Sequence, residues 1–129
     1  MTLSIEQRVL DDHVRIGCAG IYSVAAFRDA FERAFATAAA AGRDAVLVDM
    51  RGVKGGPPTM SERYELAVAA TDMQASRKPR IRMAVLGDEP MVHPERFGEI
   101  VATNRGGDGR VFTDQTQALE WLLGKARGP

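Results

Sequence analysis

The sequence predicts an α/β domain built on a single mixed β-sheet, with an N-terminal antiparallel hairpin and about four helices. Three observations predict it. Polarity alternates every second residue over 4–10 and 13–19, the pattern of half-buried strands. From Ser23 the period lengthens to that of a helix. The stretch Ala45-Val46-Leu47-Val48-Asp49-Met50 then runs almost unbroken apolar, as a central strand covered on both faces does.

The elements follow in order. Asp11-Asp12 separates the first two strands, and in the second Val14, Ile16 and Cys18 share one face against His13, Arg15 and Gly17. Asp-Asp is a poorer tight turn than Asn-Gly, so the pattern leaves the hairpin register open. Ser23 is the expected N-cap of the first helix and Gly42 its stop, with Val24, Phe27, Phe31, Ala34 and Phe35 as the apolar stripe. Each buried phenylalanine is worth about 1.5–3 kcal/mol, which requires this helix to cover the sheet. After the 45–50 strand, residues 59–74 read as a helix with Met60, Tyr64, Ala67 and Val68 at helical spacing. Residues 80–86 read as a strand, entered through Pro79, which biases Lys78 toward extended backbone. Pro94 suits the first turn of a helix with the stripe Phe97, Ile100, Val101 and Asn104, which Gly106-Gly107 ends. Residues 110–113 are a short strand, and Asp114 caps a last helix that buries Ala118, Leu119, Leu122 and Leu123. The order β-β-α-β-α-β-α-β-α favours right-handed crossovers and parallel neighbours after the hairpin.

With 129 residues the chain has the length of one domain, taken as residues 1–129, and can bury about two-thirds of its unfolded surface. Its 17 basic and 17 acidic residues cancel. That balance removes the electrostatic argument for nucleic acid or an anionic membrane. The lone Cys18 has no internal disulfide partner, which favours a reducing compartment. The first residues lack the basic lead and apolar run of a signal peptide, and no apolar stretch has the length of a membrane span. A cytoplasmic location is the expectation.

The most informative stretch is 45–66: an apolar strand, the turn Lys54-Gly55-Gly56, then a helix opened by proline. It brings Asp49 and Arg51 to one end of the sheet and aims the helix N–H groups at the same corner, where open α/β sheets bind their ligands. Thr59-Met60-Ser61-Glu62 has capping-box spacing; a plain cap is the commoner reading, a regulated hydroxyl or anion site the other. Lys54-Gly55-Gly56 has the donors to cradle an anion but is no Walker A loop, and a turn needing positive φ is its commoner role. For Asp49 and Arg51 that commoner role is an ion pair or a turn anchor.

Arg77, Lys78, Arg80 and Arg82 carry no interleaved aromatics and read as a solvated strand end, not a nucleic-acid surface. His13 and His93 lack metal-ligand spacing and a nucleophile partner, and Cys18 falls on the core face. No catalytic constellation, metal site or cofactor motif emerges, and the reading is that the protein is not an enzyme.

Three blocks carry a family resemblance. Asp49-Met50-Arg51-Gly52-Val53 is similar to an Asp-x-Ser-Gly-Val strand and turn. Met91-Val92-His93-Pro94-Glu95-Arg96-Phe97-Gly98, followed by Ala102-Thr103-Asn104-Arg105-Gly106, forms the second block. Arg110-Val111-Phe112-Thr113-Asp114, with Ala118-Leu119-Glu120-Trp121-Leu122 behind it, forms the third. Together they resemble the STAS fold (sulfate transporter and anti-sigma factor antagonist), and within it the SpoIIAA-like, STAS/SEC14-type small bacterial proteins. The resemblance implies a non-catalytic regulatory or protein-interaction module. The alternative it implies is a Sec14-like domain whose alanines and phenylalanines line a pocket for a small apolar or anionic ligand. Regulatory members carry Asp-Ser-Ser/Thr-Gly three residues after Gly-Val, and a partner kinase phosphorylates the first serine. Here Pro57-Pro58-Thr59-Met60 stands in that place, so Pro58 replaces the acceptor and only Thr59 and Ser61 offer hydroxyls nearby.

The expected partner- or anion-binding residues are therefore Asp49, Arg51, Lys54, Gly55, Gly56, Thr59, Ser61 and Arg63. Arg51, Lys54 and Arg63 are expected to be exposed, facing an acidic partner surface, and replaceable without loss of fold. The reading includes a protein partner or a small apolar or anionic ligand, leaves room for a homodimer, and excludes nucleic acid and membrane insertion.

Overall fold

The computed structural model describes residues 3–124; the expected domain bounds at 1 and 129 lie outside them. The alternating segments form the hairpin they predict. β1 (Leu3–Val9) runs antiparallel to β2 (Val14–Ile21), in register from Val9–Val14 to Leu3–Gly20. The Leu10 N–H donates to the His13 carbonyl at 2.8 Å and closes the turn, which fixes the register that the two aspartates left open. α1 (Val24–Ala41) begins at Ser23, whose hydroxyl accepts the Ala26 N–H at 3.1 Å, and stops at Gly42 with φ 70. Phe27, Phe31, Ala34 and Phe35 are buried as one stripe.

β3 (Ala45–Lys54) continues beyond the expected end at residue 50. There follow α2 (Met60–Ala75), β4 (Arg82–Leu86), α3 (Phe97–Asn104), β5 (Gly109–Phe112) and α4 (Gln115–Leu122). The five strands make one sheet in the order β1-β2-β3-β4-β5, parallel from β2 onward. Two cores lie on its faces. Val14, Ile16, Val46, Val48, Met50 and Met83 pack under α1 and α2, while Ala45, Leu47, Ala84, Leu86 and Phe112 pack under α4. α3 stands against α2 and β5.

One irregularity positions everything that follows. Between β2 and β3 the pairing passes from Gly17–Asp49 to Ala19–Gly52, so β3 holds an extra residue around Met50-Arg51. Such a bulge resets the side-chain alternation. Met50 and Val53, three apart, both reach the α1/α2 core because of it. Gly52 is required there, since a Cβ would lie 2.9 Å from the Cys18 carbonyl oxygen.

Several expectations are corrected. α2 buries Leu66, Ala67, Ala70, Thr71 and Gln74, whereas Met60 and Tyr64 are exposed and Val68 is half-buried. The helix packs by its middle and last turns, so the apolar side chains of its first turns meet no neighbouring wall. Pro94 precedes α3 instead of opening it, and Arg96, at φ 57, stands at the N-cap. Within α3 only Ala102 is buried, and Ile100 and Asn104 of the expected stripe face solvent. Leu119 and Leu123 are partly covered, and Trp121 takes the deeper place in α4. Arg82 is not a solvated strand end: its guanidinium lies 3.8 Å over the Trp121 ring, donates to the Trp121 carbonyl at 2.8 Å and pairs with Asp108.

Candidate functional site

The C-terminal end of β3 divides the expected site residues between the two faces of the sheet. Asp49 alternates with Val48 and Met50 and so points away from the α1/α2 core, where Arg15 on β2 reaches it. Its carboxylate also accepts the Arg51 backbone N–H at 3.0 Å, Arg51 Nε at 3.0 Å and Arg51 Nη2 at 2.8 Å. Arg51 Nη2 donates in addition to Gln115 Oε1 at 2.9 Å, at the start of α4. Burial alone raises the Asp49 pKa; the Arg51 hydrogen bonds and the Arg51 and Arg15 charges outweigh it and hold the carboxyl below its ordinary value. Both oxygens are engaged. Asp49 and Arg51 form a closed ion-pair network that pins β2, β3 and α4 together.

The turn after β3 is open. Lys54, Gly55 and Gly56 are exposed, and Gly55 adopts φ +103, a conformation that favours glycine. The Lys54 carbonyl accepts the Tyr22 N–H at 2.9 Å, while no ion pair holds the Lys54 side chain among the described residues.

α2 then begins with the capping box its spacing predicts. The Thr59 hydroxyl accepts the Glu62 N–H at 3.1 Å, and Glu62 Oε1 accepts the Thr59 N–H at 3.0 Å. The same Glu62 oxygen accepts the Tyr22 hydroxyl at 3.0 Å; burial, then this bond, pushes the phenol pKa up. Pro58 is buried beneath the cap and Ser61 is exposed. Arg63 turns inward over the loop before α3, donating to the Met91 carbonyl at 2.9 Å and the Pro90 carbonyl at 2.8 Å.

The structure thus brings Lys54, Gly55, Gly56, Thr59 and Ser61 to one open turn and helix start. Asp49 and Arg51 lie on the α4 face, and the Arg63 guanidinium is occupied by backbone carbonyls. The expected row of free, replaceable cations is corrected accordingly: among Arg51, Lys54 and Arg63 only Lys54 is unpartnered in the described residues. The bulge and the 90–91 carbonyls decide this, and neither has a local sequence signal.

Two features escaped the sequence reading. Met60 and Tyr64, four residues apart on α2, are 48% and 49% exposed beside that open turn. Ile21, 44% exposed, lies against the turn, its Cγ2 3.5 Å from where a Cβ of Gly55 would stand. Helical spacing marked Met60 and Tyr64 as apolar partners but could not tell a buried stripe from an unpartnered one.

The second feature is a cavity of ≈ 120 Å³ beneath α2 and α3. Phe27, Phe31, Ala67 and Ala70 form part of its wall, as the ligand reading expected of alanines and phenylalanines, and Met50, Met83 and Met91 complete it. Several of its polar members are internally engaged, while Arg96 and Arg110 also line it. Gln74 donates to the Ile81 and Asp108 carbonyls, both at 2.8 Å, and Thr71 to the Ala67 carbonyl at 2.9 Å. Among the described residues no group of three His, Cys, Asp or Glu side chains is placed to hold a metal ion. No described helix is long and apolar enough to cross a membrane.

A single sheet with an antiparallel leading hairpin, four helices and a strand-end turn feeding a capped helix make up a STAS-like fold, the kind seen in anti-sigma factor antagonists. The chain is similar to the crystal structure of an anti-sigma factor antagonist from Mycobacterium paratuberculosis, with 12% identity over 94% of both chains and a TM-score of 0.60. It also aligns with an uncharacterised DUF3478-family protein of SpoIIAA-like fold from Shewanella loihica, at 19% identity over 94% of this chain and 93% of that one, with a TM-score of 0.49. The fold assignment rests on the first. No protein-family model matches the sequence, and no curated protein matches it.

Proposed function

We propose that the chain is a non-catalytic STAS-like regulatory module that binds a protein partner through the start of α2. One observation carries this reading: Met60 and Tyr64 stand exposed on the first turns of α2, and Ile21 stands exposed against the open Lys54-Gly55-Gly56 turn that leads into it. Tyrosine and methionine are enriched in interaction surfaces, and two of them stand unpacked four residues apart on one helix. Lys54 adds a free cation for an acidic group at the partner's rim. The likeness to an anti-sigma factor antagonist supports a protein partner.

In this reading the phosphoserine switch of regulatory STAS proteins is absent, because buried Pro58 occupies the acceptor position. Thr59 is the better remaining acceptor, since a phosphate there meets the positive end of the α2 dipole, worth about 0.3–1 kcal/mol. That phosphate would also displace Glu62 from the cap and from Tyr22.

The test is a pull-down comparing the wild type with Met60→Glu/Tyr64→Glu. Both positions are exposed, so thermal stability should match while specific partners disappear. An unchanged partner list with matched stability moves the surface elsewhere.

The cavity favours a second reading, a small apolar ligand held between α2, α3 and the sheet. An apolar cavity of about 150 Å³ admits a benzene-sized molecule, so ≈ 120 Å³ suits a somewhat smaller apolar group such as a short acyl chain. Three flexible methionines in the wall let it adapt. Native mass spectrometry separates the two readings: a small molecule retained by the purified protein supports the carrier.

A further inference from the structure

We propose that a second copy of this chain pairs with the free edge of β1, antiparallel and centred on Gln7, to make one continuous sheet across the dimer. The two edges of the sheet differ. β5 is four residues long, and its Val111 N–H is taken by Glu99 Oε1 at 3.0 Å from α3. β1 is seven residues long, and among the described residues no element pairs with its outer side. Long uncovered edges are templates for strand addition.

Which backbone groups face outward follows from the hairpin. The Leu10–His13 bond makes that pair a hydrogen-bonded one. Alternation along an antiparallel ladder then gives Arg8–Arg15, Glu6–Gly17 and Ser4–Ala19 bonds to β2, and turns the N–H and C=O of Leu3, Ile5, Gln7 and Val9 to the free edge. Ile5, Gln7 and Val9 share the α1 face, where Ile5 packs on the core and Arg33 donates to Gln7 Oε1 at 2.9 Å. Ser4, Glu6 and Arg8 share the other.

A two-fold axis perpendicular to the sheet makes one residue face its own copy, and the side chains choose which. Centred on Glu6, the pairing sets Glu6 against Glu6; centred on Arg8, it sets Arg8 against Arg8. Centred on Ile5, it sets Glu6 against Ser4 and leaves the two charges without each other. Centred on Gln7, it places Glu6 opposite Arg8 twice and Ile5 opposite Val9 twice. Within one chain neither Glu6 nor Arg8 has an ion-pair partner among the described residues, and Arg8 lies across from the like-charged Arg15. Val9 is 48% exposed. The Gln7 register therefore pairs the charges that the monomer leaves single and covers the exposed valine. Gln7 Oε1 keeps a lone pair beside its Arg33 bond, so the two amides also join across the axis.

Sedimentation velocity on the purified chain, from micromolar to near-millimolar concentration, tests this. The expected result is a reversible rise from the monomer mass of 14.0 kDa toward twice that value. Glu6→Arg and Arg8→Glu should each abolish the rise, and the double exchange should restore it, because the pair is re-formed with its signs reversed. Gln7→Pro removes an outward N–H that β2 does not use and should leave a folded monomer. The proposal is overturned by a monomer at every concentration. It is equally overturned by a dimer that survives both charge reversals, or by one that the double exchange fails to restore.

Discussion

At the C-terminal end of β3 the two faces of one sheet handle their side chains in opposite ways. On the α4 face, Arg15 and Arg51 converge on the Asp49 carboxylate and Arg51 also on Gln115, so that both carboxylate oxygens are engaged. On the α1/α2 face, Met60 and Tyr64 extend past the last packed turn, and apolar surface is left over instead. The charged cluster draws the eye in a sequence, yet it is structural. The unclaimed surface, which looks like ordinary helix stripe, is the part the proposed partner would meet.

Asp49→Ala should break the closed face with the largest effect. It strips Arg15 and Arg51 of their shared acceptor, and because both arginines are partly solvated the cost should be about 1–3 kcal/mol in urea unfolding. Its pH signature sharpens the point. The folded pKa of Asp49 lies below the ordinary 3.8, so its contribution is complete above that value and is lost as pH falls through the lower folded one. Asp49→Asn should remove that acid-side slope, and an identical pH profile would place the stabilisation elsewhere.

Gly52→Ala tests the bulge that separates the faces. Its Cβ meets backbone, not a movable side chain, so a loss of about 1–3 kcal/mol is expected. Thr59→Ala removes half of the capping box and should cost about 0.5–2 kcal/mol, with the Tyr22–Glu62 hydrogen bond retained. The smallest effect belongs to the open face: Met60→Ser and Tyr64→Ser should each stay within about 0.5 kcal/mol of wild type by thermal unfolding. A larger loss there would mean that the patch is packed after all.

Most of the fold was legible from local signals, although Pro94 misplaced the start of α3. Alternation gave the hairpin, Ser23 and Gly42 bounded α1, and Thr59 with Glu62 announced the capping box that opens α2. The site was half legible. The open turn stands where its glycines put it, but Arg63 bonds carbonyls 27 and 28 residues away, and Arg51 bonds Gln115, 64 residues away. Contacts at such separations have no period or spacing to betray them. Exposure of Met60 and Ile100 was illegible for a related reason: helical period reports which residues share a face, not whether a neighbour reaches it.

The extra residue in β3 has a consequence for how this chain tolerates changes of length. It acts as a phase shift in the strand, letting Val53 point inward although Met50 already does. Deleting Arg51 would remove the extra residue and restore plain alternation with Val53 still inward, two positions after Met50 and still opposite Gly20. One or two residues added at Gly55-Gly56, where a Cβ at Gly56 would meet nothing within 4 Å, would only lengthen an exposed loop. Lengthening at the turn alters what the proposed partner would touch; a one-residue change between 45 and 48, where no bulge absorbs the shift, would instead exchange inside for outside along the buried strand.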